Sequence, residues 1–391
     1  MWLFAAALWY GILAMRAPGR WAITGFELAV FALAAALVVR RRFAIRFHPV
    51  SLALAAGAVW ALLQAAIGVS VDPQRSLEAS LQWTLNCAAF SLALALTADR
   101  VLRRQFLTAQ VLFALLTGVA CVIALFATGR LGPFVYYNQF AAFLEPALAL
   151  AIAASIWDRR RPLLWILVAA ALLACVVAGG SRAGSILCLA LLILLPLIAF
   201  ARGSMRAGTL ARVAILGLAS ATVLVAVVGW EKIWQRLQEP HPYAVRANLV
   251  RSSLAMVRDR PLIGFGLGAW SSAYPAYARY DDGTFVNQAH NDWVQWAAEG
   301  GVPFFLLMLF VAAALARPAW RSLWGLGLMA VFLHALVDYP FEQRPALAAY
   351  FFALAGALAA EGNSAISSPG GNSPAGSSRA SLPSRSSPRS D

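Results

Sequence analysis

The sequence predicts an all-α fold, a polytopic bundle of about 12 transmembrane helices with one large extramembrane loop. Of its 391 residues 61% are hydrophobic and only 12% are charged, and the mean hydropathy is +0.71. This composition is far more apolar than a soluble domain needs. The apolar residues form repeated blocks of about 16 to 22, close to the length that crosses a hydrocarbon core. The blocks are apolar on every face, which favours helices over the alternating strands of a membrane barrel.

The helices are predicted from these blocks and from the polar connections between them. The predicted spans are 2–15, 21–39, 50–69, 79–98, 106–127, 138–157, 163–179, 184–201, 213–230, 297–316, 320–337 and 346–360. The first block has no charged leader, so we expect a first helix there and not a cleaved signal peptide.

The orientation is predicted from arginine clusters, which recur on every second connection, at 40–46, 100–104, 159–161, 202–212 and 317–321. The positive-inside rule makes this side cytoplasmic, with both termini inside. The large loop, about 231–296, then faces outward. The net charge of +14 is explained by these topology signals, so we expect no nucleic-acid partner.

Two units follow from composition, a transmembrane domain at 1–360 and a tail at 361–391. The tail is rich in Ser, Pro and Gly, so we expect it to be disordered and cytoplasmic. The cysteines all lie inside apolar blocks, and we expect reduced structural thiols at Cys87, Cys121, Cys175 and Cys188.

A sharp break between two very apolar helices, 179–184, carries Ser181 and Arg182. Glycines let the backbone approach a ligand closely, and a guanidinium group suits phosphate oxygens. The alternative is a short loop whose arginine reaches lipid headgroups.

Within the large loop, residues 246–260 read as an amphipathic surface helix that Pro261 closes, with Leu249, Leu254, Met256 and Val257 on its apolar side. A Gly-rich turn follows at 262–268. Arg246, at the start of the helix, could reach an anion beneath the loop, or the basic residues could simply contact lipid phosphates.

Where the loop returns to the membrane, His290 precedes Asn291, Gln295 and Glu299, which share a helix face at four-residue spacing. His290 is the best general-base candidate in the chain. The alternative is an interfacial anchor beside tryptophans.

Two further polar positions lie in apolar segments. His334 and Asp338 are one helical turn apart near the end of a late span, and Asn138 opens another span that contains the rare acid Glu145. These residues could line a cavity or hydrogen-bond neighbouring helices.

Motifs of soluble enzymes are absent from the sequence. It contains no phosphate loop, no His-Glu-x-x-His, no Gly-x-Ser-x-Gly and no carboxylate cluster for Mg²⁺. We therefore expect no cofactor and no metal.

In combination, the motifs resemble the O-antigen ligase and polymerase superfamily of polytopic glycosyltransferases. The resemblance covers about residues 50–360 and rests on Tyr137–Ala141, Ser181–Gly184, Arg246 before the turn at Pro261–Gly268, and His290–Asp292 followed by Glu299 and Gly301.

This resemblance implies a metal-independent, inverting transfer of a glycan from undecaprenyl pyrophosphate. Arg182 and Arg246 would hold the pyrophosphate, and His290 would take the proton from the acceptor hydroxyl. Supporting roles would fall to Asn138, Ser181, Asn291, Gln295, Glu299 and Asp338.

The implied partners are an undecaprenyl-pyrophosphate-linked glycan, an acceptor and membrane lipid. A ligase would transfer to lipid A-core, whereas a polymerase would use a second lipid-linked glycan; the loop length and compact chain favour the ligase. A protein O-oligosaccharide transferase and a transporter for bicarbonate or another anion are lesser alternatives. The polar groups cluster on one side and not along a whole path, which disfavours transport.

Overall fold

The structure, a computed structural model, describes residues 1–17, 19–40, 48–158, 160–208, 210–212, 214–215, 219, 244–279, 283, 285–342 and 345–366. Within these ranges the regular elements are all helical, and no strand occurs among them. Nine helices of this part are long and apolar enough to cross a membrane. The predicted class, an all-α polytopic membrane bundle, is therefore confirmed.

Among the described residues, the structure gives bounds for eight helices before the large loop, and the first of them is the shortest. Their bounds are α1 Trp2–Ala14, α2 Arg20–Val39, α3 Pro49–Ala66, α4 Pro73–Leu96, α5 Arg100–Thr128, α6 Tyr137–Trp157, α7 Pro162–Gly179 and α8 Arg182–Ala201.

The described residues of the loop and of the C-terminal part form five more α-helices and one short 3₁₀ helix. They are α9 Ala244–Asp259, α10 Trp270–Ala273, the 3₁₀ helix Tyr274–Tyr277, α11 Asp292–Ser322, α12 Leu326–His334 and α13 Pro345–Ile366.

The predicted and observed helices differ most near the C-terminus. Helix α11 is longer than the predicted span 297–316 and kinks at Gly301, whose backbone is not helical. Helix α12 covers only nine residues of the predicted span 320–337. Most of the predicted span 213–230 lies outside the described residues, so the total number of spans stays a prediction. Helix α13 continues to Ile366, past the predicted start of the tail at residue 361. The rest of the predicted tail, 367–391, lies outside the described residues.

Side-chain caps fix the starts of α8 and α11, two of the helices that carry site residues. Ser181 accepts a hydrogen bond from the backbone N–H of Gly184, and Asn291 accepts one from Val294. Both are N-caps, which satisfy backbone donors that a helix start leaves without partners. Arg182 is consequently the first residue of α8.

Helices α6 and α13 form the centre of the bundle and are buried on nearly every face, whereas α2 and α5 expose most of their surface. A central helix can carry polar side chains because neighbouring helices supply hydrogen-bonding partners. Helix α6 does so at Asn138 and Glu145, both buried.

Candidate active site

The carboxylate of Asp338, just after α12, is the point where the candidate site converges. Its Oδ2 accepts hydrogen bonds from Asn138 Nδ2 and, at 3.3 Å, from Arg246 Nη2. Its Oδ1 lies 3.7 Å from His290 Nδ1 and accepts from the backbone N–H of Tyr339. Asp338 thus connects α6, α9 and the segment before α11.

Asp338 is only 3% exposed, yet it has the surroundings of an ionised group. Desolvation by burial raises its pKa, but the imidazole of His290 and the guanidinium of Arg246 outweigh that effect, and the pKa of Asp338 lies below its ordinary value. We therefore treat Asp338 as a carboxylate at neutral pH.

His290 has a left-handed backbone, with φ of 53°. Histidine is among the residues that adopt this region more readily, but the conformation still costs free energy and must be held by its surroundings. The backbone N–H of Asp292 donates to the carbonyls of Ala335 and Asp338, and Asn291 Nδ2 donates to Leu336 O at 2.7 Å. The start of α11 is in this way fastened to the segment after α12.

The imidazole of His290 stands edge-on to the ring of Tyr339, with centroids 4.6 Å apart at 83°. About a quarter of its side chain is exposed (27%). Nδ1 is buried and has no hydrogen-bond partner within the described ranges, since Asp338 is slightly too distant. The ring therefore packs against Tyr339, directs Nδ1 toward Asp338 and remains partly accessible to solvent.

A chain of hydrogen bonds joins this cluster to the break before α8. Ser181 Oγ donates to Asn138 Oδ1 at 2.8 Å, and Asn138 in turn donates to Asp338. Gly180 adopts positive φ to turn the chain, and a Cβ on Gly184 would lie 2.3 Å from that of Ala141. Helices α6 and α8 therefore approach each other closely at this point. Arg182, which follows Ser181, is half-buried there and interacts with another group of the protein.

Helix α9 brings Arg246 over the site. Leu249 and Met256 are buried, as the amphipathic pattern predicted, and pack with Phe265 and Trp270 of the following segment. Leu254, predicted to share the apolar side of this helix, is 42% exposed. It does not share a face with Leu249 and Met256, because position 254 is offset from both by more than a third of a turn around the helix axis.

Glu299, fully buried in α11, holds the Gly-rich turn and has no contact with His290. Its carboxylate accepts from the backbone N–H groups of Gly268 at 2.9 Å and Trp270 at 3.0 Å. Gln295 bonds Glu299 at 3.1 Å and accepts from the N–H of Ala289, the residue before His290. The predicted supporting residues of α11 therefore shape the loop around the site.

Gln64, in α3, is a supporting residue that sequence reasoning missed. Its amide donates to the carbonyls of Ile263 and Glu299 and accepts from the N–H of Leu267. A glutamine inside an apolar span was the available signal, because such a group needs a partner in the bundle. Gln64 and Glu299 together hold the Gly-rich turn at 262–268 through hydrogen bonds to its backbone.

His334 pairs with Glu145, not with the side chain of Asp338 as its spacing suggested. His334 Nδ1 lies 2.6 Å from Glu145 Oε1, and both side chains are fully buried. Only the backbone of His334 reaches Asp338, by accepting from its N–H. His334 and Asp338 are one turn apart, as predicted, but the imidazole of His334 contacts Glu145, a residue 189 positions away in the chain.

Taken as a class, the fold and this cluster define a polytopic helical membrane protein with a polar site at one end of its bundle. Residues 166–309 match the family model described as O-antigen ligase, Wzy_C. This match confirms the resemblance to the O-antigen ligase superfamily. It spans α7 to the first part of α11 and includes Arg182, Arg246 and His290.

Two residues of the cluster, Asn138 and Asp338, lie outside the matched stretch and enter the site through the fold. No curated protein matches the chain. Within the described ranges, no group of three or more His, Cys, Asp or Glu side chains could hold a metal ion.

Proposed function

We propose that this chain is an O-antigen ligase-type membrane glycosyltransferase, which moves a glycan from undecaprenyl pyrophosphate to a lipid A-core acceptor. The family match supports membrane glycosyltransferase activity in general. The observation that carries the proposal is the convergence of His290 and Arg246 on the buried carboxylate of Asp338. A general base and an anion-binding cation thus stand side by side.

His290 is the proposed catalytic base. With Nδ1 directed to Asp338, the proton of the neutral imidazole resides on Nδ1 and Nε2 is the acceptor. The 3.7 Å separation would shorten when the imidazole gains charge, as catalytic contacts often do on substrate binding. Asp338 is then a positioning residue that also stabilises the imidazolium.

The proposed reaction is one inverting displacement. The acceptor hydroxyl oxygen forms a bond to the anomeric carbon while the bond from that carbon to the pyrophosphate oxygen breaks. The hydroxyl proton passes to His290 Nε2, and undecaprenyl pyrophosphate leaves with the electron pair. The pyrophosphate leaving group supplies the driving force, so no nucleotide is consumed.

Arg246 and Arg182 are the proposed pyrophosphate ligands. A guanidinium has five donors in a planar fork, which matches phosphate oxygens and stabilises the charge that develops on the leaving group. Arg246 is a quarter exposed at the site (25%). These cations take the role that a metal ion has in other transferases, so the proposed reaction is metal-independent.

The proposed location follows from the basic connections. With the arginine-rich side in the cytoplasm, His290 and Asp338 face the periplasm of the inner membrane, and both termini are cytoplasmic. This is the side on which finished lipid-linked glycans would meet lipid A-core.

The test is deletion of the gene and complementation with His290→Ala, Arg182→Ala or Arg246→Ala, followed by gel analysis of surface polysaccharide. Arg251→Ala is the matched control, since Arg251 is exposed on the same helix as Arg246. Immunoblots of membranes establish that each variant is present. We expect no rescue by the three site variants and full rescue by the control.

The same gels separate the ligase from a polymerase. Unmodified core with accumulated long lipid-linked polymer indicates a ligase, whereas core that carries a single repeat indicates a polymerase. Full rescue by all three site variants would eliminate the proposed site.

A further inference from the structure

A cavity with a polar lining lies at the far end of the bundle from His290. It has a volume of about 450 Å³ and is enclosed by the start of α5, the end of α6, the start of α7 and Glu361 of α13. Asn138 lies in the first turn of α6, at the candidate active site, and Trp157 ends the helix at this cavity. A helix of 21 residues is about 30 Å long, so the two sites are separate.

The ionisable side chains of this cavity carry an excess of positive charge. Three arginines, Arg100, Arg103 and Arg104, line it against two acids, Asp158 and Glu361. Each acid interacts electrostatically with arginines of the cavity, Asp158 with Arg104 and Glu361 with Arg103 and Arg100, and also accepts a hydrogen bond from an indole. Asp158 accepts from the indole N–H of Trp165 at 3.2 Å, and Glu361 accepts from that of Trp324 at 2.9 Å.

Arg103 is fixed in the wall of the cavity. Its side chain is buried, at 6% exposed, and its guanidinium donates to the carbonyl oxygens of Thr97 at 2.9 Å and Ala98 at 3.3 Å. Arg100 and Arg104 are exposed at the mouth. All three arginines are in the first five residues of α5, where the helix dipole disfavours cations. A bound anion would relieve this conflict.

Apart from Thr108 and Ser204, the remaining lining residues are apolar or aromatic, which indicates where the rest of a ligand would lie. Buried Leu107, Val111 and Leu150 continue from the arginines along α5 and α6. Trp157 is 40% exposed beside them, as tryptophans at the level of lipid headgroups often are. An anion with an attached apolar chain fits this lining better than a small ion.

We propose that this cavity binds an anionic phospholipid, with the headgroup phosphate against Arg100 and Arg104 and an acyl chain along α5. Basic pockets between transmembrane helices are established sites for such headgroups. The cavity volume falls within the range of small-molecule sites, about 300 to 1,000 Å³. The site is independent of the glycosyltransferase proposal.

The test uses the full chain, purified in a neutral detergent and titrated with phosphatidylglycerol, phosphatidylcholine or inorganic phosphate. The readouts are lipid retained by the protein in native mass spectrometry and the shift in melting temperature. The variant is Arg100→Gln with Arg104→Gln. Its control is Arg317→Gln with Arg321→Gln, an equal charge change at exposed positions of α11 that do not line the cavity.

We expect the wild-type chain and the control to retain phosphatidylglycerol over phosphatidylcholine. The cavity variant should bind phosphatidylglycerol about 30-fold more weakly, since each basic residue near a lipid surface contributes about 1 kcal/mol. Equal retention of both lipids by the wild type, or an unchanged preference in the cavity variant, would overturn the proposal. So would equal stabilisation by inorganic phosphate, which would indicate a simple anion site.

Discussion

Replacing Asp338 by asparagine tests the positioning role directly, because the change removes one charge and keeps the size of the side chain. At an effective dielectric constant of about 20, unit charges 3.7 Å apart attract by roughly 4.5 kcal/mol. That is about a thousandfold in rate if the attraction to the imidazolium is made only in the transition state. His290 is partly exposed, so solvent screens part of this attraction. We therefore expect Asp338→Asn to lower kcat about 10²- to 10³-fold.

The KM for the lipid-linked donor should change far less. Arg246 loses its contact with Asp338, but its guanidinium stays available to phosphate oxygens, and a kcat effect without a KM effect is typical of an interaction made in the transition state. Purified protein with a lipid-linked glycan and lipid A-core gives both constants. Asp259→Asn, at the end of α9, is the matched control. A kcat for Asp338→Asn within fivefold of the wild-type value would refute this reasoning.

Three further predictions concern stability, measured as thermal unfolding in detergent. Glu145→Ala should destabilise the chain by about 3 kcal/mol, because it leaves the fully buried His334 without its partner; Glu145→Gln should retain most of the stability, and equal melting temperatures for all three proteins would contradict this. Gly266→Ala should cost more than about 2 kcal/mol, since Gly266 has φ of 106° and a Cβ would lie 2.2 Å from Ser70 Oγ; a neutral effect would show that the turn can move. Desolvation raises the pKa of Glu342 from 4.5 to about 7, so this carboxyl binds more protons folded than unfolded between those values, and its contribution to stability falls as the pH rises. Glu342→Gln should therefore unfold like the wild type near pH 4.5 and at higher temperature above pH 7, and a gap independent of pH would contradict the assignment.

Hydropathy was sufficient to predict the helices that cross the membrane through apolar sequence, such as α2 and α6. It failed at the ends where helices continue through polar residues. Helix α4 begins at Pro73, six residues before the predicted span, because Asp72 and Pro73 provide an N-cap and a first turn. Helix α12 is short because residues 335–338 form turns that place Asp338 near His290.

The motifs identified most residues of the candidate site but not how they connect. Spacing along one segment indicated that Asn291, Gln295 and Glu299 act together. It correctly placed Gln295 and Glu299 on one helix, whereas Asn291 is the N-cap of that helix. It could not indicate that Glu299 holds the turn at Gly268. That contact joins residues 31 positions apart and depends on the tertiary fold.

Asp338 and Glu145 illustrate the same limit for pairs between distant helices. Asn138 meets Asp338 across 200 positions of the chain, and Glu145 meets His334 across 189. A polar residue in an apolar span indicates that its side chain needs a hydrogen-bonding partner. Which residue becomes the partner is determined by the packing of α6 against α12 and the segment that follows it.

The most direct test of the central claim is transfer by the purified chain from an undecaprenyl-pyrophosphate-linked glycan to lipid A-core, compared among the wild type, His290→Ala and Arg251→Ala. A base in the proposed role contributes roughly 10² to 10⁴ in rate, so His290→Ala should be at least about 100-fold slower while Arg251→Ala keeps the wild-type rate. Equal rates for all three proteins would contradict His290 as the catalytic base and, with it, the proposed active site.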